Sequence, residues 1–219
     1  MVKKAVCLIS GGMDSFVSAA IAKHKGYKIY ALTVNYGQKN KKEISSAVKI
    51  AEFLKVERHL ITKAALSWTK SALTDAKIKI PREIRKGEIP LTYVPARNTI
   101  FISIALALAE TVDAGAIFIG VNAVDFSGYP DCRPEYIRRF QRLINSATKK
   151  TCGGGSIRLQ APLLRMSKEE IVKKGLSLGL DFSITWSCYK SGKKPCGQCP
   201  SCIIRAKGFS AAQTPDLIN

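Results

Sequence analysis

VCLISGGMDSFVSAAIAKH, residues 6–24, runs from an apolar stretch through Gly11-Gly12 and Asp14-Ser15 into a second apolar stretch. Extended back to KKAVCLI at 3–9, the first run has the length and continuity of a buried parallel strand. From Asp14 to Lys25 the apolar residues instead recur at helical spacing. The segment therefore predicts a strand, a tight turn and a helix, and the same unit repeats downstream.

YKIYALTVNY at 27–36 predicts a second strand. KKEISSAVKIAEFLKV then puts Ile44, Val48, Ala51 and Leu54 on one helical face. ERHLIT at 57–62 is the third strand. Residues 71–95, with prolines at 81, 90 and 95, carry little periodicity and predict an irregular excursion over a site. ARNTIFISIALALAETV at 96–112 is apolar nearly all round, which predicts a central buried helix, followed by a strand in GAIFIGV at 115–121. The polar loop NAVDFSGYPDCR, 122–133, then falls at a strand's carboxyl end, where open α/β sheets place their ligands. Pro134 opens a helix that buries Ile137, Phe140 and Ile144 and turns Arg138, Arg139 and Arg142 outward. A strand around 157–161 and a helix capped by Ser167 with Glu170 three residues on complete the pattern. Alternation of strand and helix implies a doubly wound α/β fold on a mainly parallel sheet, with helices on both faces.

With 219 residues and 46% apolar composition, the chain can build one core. It shows neither the composition of a disordered chain nor an uncharged apolar run of about 18 residues that would span a membrane. The short apolar run behind MVKK leads into a turn rather than a cleavage site, so no export signal is expected and the cytoplasm is the expected compartment. Thirty-five Lys and Arg against 16 Asp and Glu leave a formal charge of +19. Such a field draws phosphates, nucleotides and RNA alike, but the lysines are dispersed and form no single block.

At the first turn, Gly11 and Gly12 let the backbone bend sharply and approach a ligand, with several N–H groups aimed at one spot before a helix. That arrangement suits a phosphate. Ser10 and Ser15 add hydroxyl donors, and Asp14 either binds Mg²⁺ or orients the nest. Neither the Walker spacing nor that of a dinucleotide fold is present. Cys188, Cys196, Cys199 and Cys202 form a C-x7-C-x2-C-x2-C run, with Gly197 and Pro200 permitting tight turns. Four thiolates suit one tetrahedral Zn²⁺ with no open position, hence structural; a redox dithiol and an iron–sulfur cluster use similar spacing. The expected layout is an α/β domain over 1–184 and a small C-terminal zinc element over 185–219 packed on it.

The SGGMDS turn at 10–15 resembles the pyrophosphate-binding loop of the ATP pyrophosphatase, or PP-loop, superfamily (adenine nucleotide alpha hydrolase-like), whose members generally split ATP between the α and β phosphates. VNYGQKN at 34–40, YVPARN at 93–98, GVNAVDFSGYPDCRPEY at 120–136, APL at 161–163 and TWSCYKSGKKPCGQCPSCIIRAKGF at 185–209 are together similar to the 7-cyano-7-deazaguanine synthase family. Ala96 departs from the glycine common there. The resemblance implies conversion of 7-carboxy-7-deazaguanine to the nitrile, on the route to queuosine or archaeosine in tRNA. ATP with Mg²⁺ and ammonia would be co-substrates, AMP and pyrophosphate the favoured products over ADP and phosphate, and a homodimer the expected state.

On that resemblance Ile9, Ser10, Gly11, Gly12, Met13, Asp14 and Ser15 hold the nucleotide, bordered by Tyr36 and Gln38. Asp14, Ser15 and Arg97 act in catalysis. Arg97 meets either the phosphates or the substrate carboxylate. Asp125, Ser127, Asp131 and Arg133 take the deazaguanine. Cys132 has no recognisable histidine partner and is disfavoured as a nucleophile. His24, His59, Cys7, Trp68 and Trp186 read as structural, and Cys152 as a loop residue. A tRNA-thiolating enzyme built on the same loop is the alternative, and a zinc-containing RNA-binding module without catalysis a third reading. No stable nucleic-acid or membrane partner is expected.

Overall fold

The computed structural model describes residues 2–83, 88–124, 128–190 and 192–218. Five parallel strands, β1 (Lys4–Leu8), β2 (Lys28–Asn35), β3 (Arg58–Lys63), β4 (Ala116–Phe118) and β5 (Arg158–Gln160), lie in the order β3-β2-β1-β4-β5. Cys7 sits between Ala31 of β2 and Phe118 of β4, which places β1 at the centre. The chain steps outward from β1 through β2 to β3, then crosses back to β4 on the other side. That reversal opens a crevice beyond the carboxyl ends of β1 and β4.

The strands alternate between two cores. Ala5, Cys7, Ala31 and Phe118 face α1 (Met13–His24), α2 (Lys42–Phe53) and α6 (Lys168–Ser177). Val6, Leu32, Ile117 and Leu159 face α3 (Arg97–Thr111) and α4 (Pro134–Ala147). Because both faces of β1 are covered, every strand position there is apolar except the terminal lysine, as the continuous run at 3–9 requires.

Local chemistry sets the helix boundaries. Ser167 caps α6: its Oγ accepts from the Glu170 amide at 3.2 Å while the Ser167 amide donates to Glu170 Oε2 at 2.7 Å. Pro134 occupies the first turn of α4, and Ile137, Phe140 and Ile144 are buried with Arg138, Arg139 and Arg142 outside. The described part of 71–95 carries no helix or strand.

Three expectations are corrected. Helix α3 is not buried all round: Ile102, Ala105, Leu106 and Ala109 are, while Ser103, Ala107 and Thr111 are exposed. A helix in the outer layer meets the sheet along one face only, whatever the composition of the other. In α2 the buried face is Ala47, Ile50, Ala51 and, just beyond the helix, Leu54; Ile44 and Val48 are half-buried. β4 is three residues long rather than seven, although the Ile119 amide still donates to Gln160 O at 2.9 Å. The short α5 (Lys149–Cys152) and the longer α7 (Pro200–Ala211) were not anticipated. Among the described residues no helix is long and apolar enough to cross a membrane.

Candidate active site

A cleft of about 270 Å³ opens at the crevice, lined by the turn after β1, the segment after β2, the first turns of α2 and α3, Gly120 after β4, and Trp186, Ser187 and Tyr189. At its base is the turn that opened the sequence. Gly12 is the N-cap of α1 and supplies no side-chain oxygen, so the first-turn amides remain available to an anion. The loop is braced from within. Ser15 Oγ accepts from the Ser10 amide at 3.1 Å, interacts with Ser10 Oγ at 3.2 Å, and donates to Gly12 O at 2.9 Å.

Close approach of backbones explains two glycines. Gly11 has φ of +90°, and a Cβ there would run into the Glu43 carbonyl, 2.9 Å from its carbon. At Gly120 a Cβ would stand 2.7 Å from Ser15 N and 2.8 Å from Asp14 C. Thus β4 seats the start of α1 directly on its carboxyl end. Ile9 and Met13 are buried beneath the loop and line the cleft with Ser10, Gly12, Asp14 and Ser15. Thr33 Oγ1 donates to Ile9 O at 2.7 Å and, its single proton spent, accepts from His59 Nε2 at 2.8 Å. Burial lowers the His59 pKa, in keeping with a neutral, structural ring.

Lys168 supplies a contact the sequence reading missed. From the N-terminus of α6 its Nζ reaches Asp14 Oδ2 at 2.6 Å, with side chains 13% and 25% exposed. Asp14 Oδ1 is buried without a hydrogen-bond partner among the described residues. The ion pair ties the start of α1 to the start of α6. Only the spacing of a lysine after the capping serine hinted at it, and nothing local ties residue 168 to residue 14.

Arg97 begins α3 beside Tyr36, its Cζ 5.7 Å from the ring centroid, and both line the cleft. Burial opposes its charge, but Tyr36, Tyr129, Asp131 and Cys132 outweigh that and push its pKa up, so the guanidinium stays charged. Burial, and then Glu43, hold the Tyr36 phenol protonated. Gln38 lines the same wall, its Oε1 accepting from the Tyr36 amide at 3.0 Å.

The deazaguanine candidates are dispersed. Asp131 is buried, with Oδ2 accepting from the Asn98 amide at 3.0 Å, so it caps the start of α3. Asn98 Nδ2 in turn donates to Cys132 Sγ at 3.2 Å, and Asn98 and Cys132 rather than Asp131 line the cleft. Arg133 is exposed and outside the lining. Asp125 and Ser127 lie outside the described residues.

Cys188, Cys196, Cys199 and Cys202 converge, their sulfurs all within 4.8 Å of one another, a set able to hold a metal ion. The Lys190 and Cys196 amides donate to Cys188 Sγ at 3.3 and 3.4 Å. Cys199 is the N-cap of α7, and Cys202 follows one turn on. For Cys196, burial is outweighed by amides of Gln198 and Cys199, which draw its thiol down to about 7. Burial pushes the Cys188 and Cys202 thiols up, whereas amide donors and a helix N-terminus favour thiolates, and the four converging sulfurs fit a tetrahedral thiolate-bound metal. This element grips the Gly11-Gly12 loop: the Trp186 amide donates to Gly11 O at 2.9 Å and its indole to Cys188 O at 2.9 Å. Asn40 Nδ2 also reaches Cys188 O, at 2.6 Å, and Lys42 Nζ lies 4.2 Å over the Trp186 ring.

Residues 4–213 match the family model described as "Queuosine biosynthesis protein QueC". The chain belongs to the QueC family. Relatives described as 7-cyano-7-deazaguanine synthase include one from Microcystis aeruginosa, 51% identical over 99% of this chain and 95% of that protein. Another, from Coxiella burnetii strain RSA 331, is 52% identical over 98% and 96%. Among solved structures, the NMN synthetase of Francisella tularensis aligns with a TM-score of 0.51 at 17% identity, over 98% of this chain and 79% of that one. A 4-thiouridine synthetase, solved with RNA and bound ATP, aligns with a TM-score of 0.51 at 20% identity over 96% of this chain and 50% of that one. At such identities these two speak for the fold alone, the α/β arrangement on a parallel sheet. As a QueC protein, this is an ATP-using enzyme of the ligase type, and the tRNA-thiolating alternative has no better support.

Proposed function

We propose that the protein converts 7-carboxy-7-deazaguanine and ammonia to 7-cyano-7-deazaguanine at the expense of ATP. The observation that carries the reading is the cleft itself. Within a QueC chain, one crevice joins an uncapped helix N-terminus after Gly11-Gly12 to a permanently charged Arg97.

Turning a carboxylate into a nitrile removes both oxygens, and neither leaves readily as hydroxide. Adenylation of the carboxylate lets ammonia displace AMP to give the amide. A second activation, at the amide oxygen, permits elimination to the nitrile. The first-turn amides of α1 suit the phosphates, and the fork of Arg97 suits charge on the α-phosphoryl group or on the substrate carboxylate. Mg²⁺ accompanying ATP supplies further charge neutralisation. The metal of the four-cysteine set is read as one structural Zn²⁺ that holds Trp186 against Gly11, and the assembly as a homodimer in the cytoplasm. Of the four deazaguanine-binding assignments, Asp125 and Ser127 stand as proposed, whereas Asp131 caps the start of α3 and Arg133 lies outside the cleft lining.

Mass spectrometry of a reaction with Mg-ATP, ammonium and 7-carboxy-7-deazaguanine tests this. Nitrile together with AMP is expected. Nitrile with ADP would overturn the adenylation step, and absence of carboxylate-dependent turnover would overturn the function. A monomer in light scattering would refute the dimer, and metal analysis without zinc the metal assignment.

A further inference from the structure

Glu43 has no part in the reaction as described so far, although it stands at its centre. It lies in the first turn of α2, its backbone carbonyl pressed against Gly11, and it lines the cleft with Arg97 and Tyr36. Among the described residues two carboxylates line that cleft, Asp14 and Glu43. Asp14 is committed to Lys168. The Glu43 carboxyl makes no hydrogen bond or contact ion pair among the described residues, and the residue keeps some accessible surface.

We propose that Glu43 is the catalytic base that removes the protons from the nitrogen on its way from ammonium to nitrile. The inference rests on the reaction read above. Ammonia is almost wholly ammonium at neutral pH and has no lone pair to attack with until one proton is gone. After the freed pair bonds to the activated carboxyl carbon, the C–O bond breaks with its electrons to AMP, and a second proton must leave for the amide to be neutral. Once the amide oxygen has taken the second adenylyl group and pyrophosphate has left, loss of one N–H proton completes C=N. Loss of the last, with departure of AMP and its oxygen, completes C≡N. Every proton of the ammonium ion is thus shed at one atom, and no oxidant or reductant is involved.

The wall holding Glu43 suits repeated use. Burial raises its pKa from the usual 4.5 to about 7, with Arg97 acting in the opposite direction, so the carboxyl both accepts a proton and returns it to water near neutrality. The charged and titratable groups around it are otherwise spoken for. Arg97 is fixed as a cation and Tyr36 as a phenol. Lys42 lies over Trp186, and Arg205 is bound to Asp216 at 2.6 Å.

The test compares E43Q and E43D with the wild-type chain, using ammonium and then hydroxylamine as nucleophile. Hydroxylamine is largely unprotonated at neutral pH and reports the activation step as hydroxamate. In E43Q the ratio of nitrile to hydroxamate rates should fall about a hundredfold, with E43D intermediate. At constant free ammonia, the wild-type nitrile rate should drop below pH of about 7 and the E43Q rate should not. An unchanged ratio, or nitrile and hydroxamate falling together, overturns the inference. A wild-type chain that forms neither product overturns the functional reading itself, and with it the role of Glu43.

Discussion

Replacing Gly11 with alanine should cost the fold far more than replacing Gly12, although the two glycines are adjacent in one turn. At Gly11 the new Cβ meets backbone: the Glu43 carbonyl, with its carbon at 2.9 Å, and the Glu43 Cα at 3.1 Å. Neither atom can rotate away, so the loop and α2 must separate. Overpacking of this kind costs about 1–3 kcal/mol. The φ of +90° adds strain of about 1–2 kcal/mol for any residue with a Cβ. Together they amount to about 2–5 kcal/mol, a large share of the ~5–15 kcal/mol that holds a typical domain. At Gly12 the backbone has φ −83° and ψ 160°, open to any residue, and the nearest atoms to a Cβ are Ser10 Oγ at 3.5 Å and Trp186 O at 3.9 Å. G12A should therefore stay within about 1 kcal/mol of wild type. Its methyl group would nevertheless stand at the N-cap where a phosphate approaches, so ATP affinity should fall. Urea unfolding of the two variants, with calorimetric titration of Mg-ATP into G12A, reads both effects. Equal unfolding midpoints for G11A and G12A would refute the close-approach argument.

Substituting Lys168 with methionine leaves the half-buried Asp14 carboxylate without its cation, its Oδ1 already unpartnered among the described residues, and should cost about 1–3 kcal/mol together with nucleotide affinity; unchanged unfolding would refute that. The E43Q variant should be more stable than wild type in alkaline buffer. Because the folded state holds the Glu43 proton up to about 7 against 4.5 when unfolded, wild-type stability falls as pH rises through that window and stays lower above it. That shift sets a ceiling of about 3 kcal/mol, lowered by the residue's partial exposure, and a difference in unfolding midpoint that does not grow between pH 5 and 8 would refute it. Stripping the metal should let a thiol reagent reach Cys188, Cys196, Cys199 and Cys202 in addition to the exposed Cys152, with Cys7 and Cys132 still protected. It should also lower the melting temperature until zinc is restored; a melting temperature indifferent to the metal would detach the cysteine element from the fold.

Much of the site was legible because its determinants are local. The first turn needs a strand, two glycines and a helix in succession, and the four cysteines fall within fifteen residues. The helix cap at Ser167 and Glu170 is likewise a short-range pattern, and it appears as read. What escaped were contacts between distant positions. Lys168 meets Asp14 because α6 packs beside α1, and Trp186 meets Gly11 because the cysteine segment folds back over the loop. Glu43 reaches the site only because α2 packs its first turn against Gly11, a contact no local pattern encodes. The extent of α3's burial was misjudged for a related reason: apolar residues on every face cannot say which face the sheet will take.

By itself, then, the sequence determined the alternation of strands and helices, the Gly11-Gly12 turn and the convergence of four cysteines, since each is written in spacings of a few residues that backbone geometry converts directly into shape. Tertiary structure alone decided which charges meet. Asp14 with Lys168 and Asp131 with Asn98 are pairings across elements, and Arg97 shares one cleft wall with Tyr36 and Glu43 without an ion pair to Glu43 among the described residues. Their ionisation follows from burial and neighbours that exist only once the two cores have closed on either side of β1.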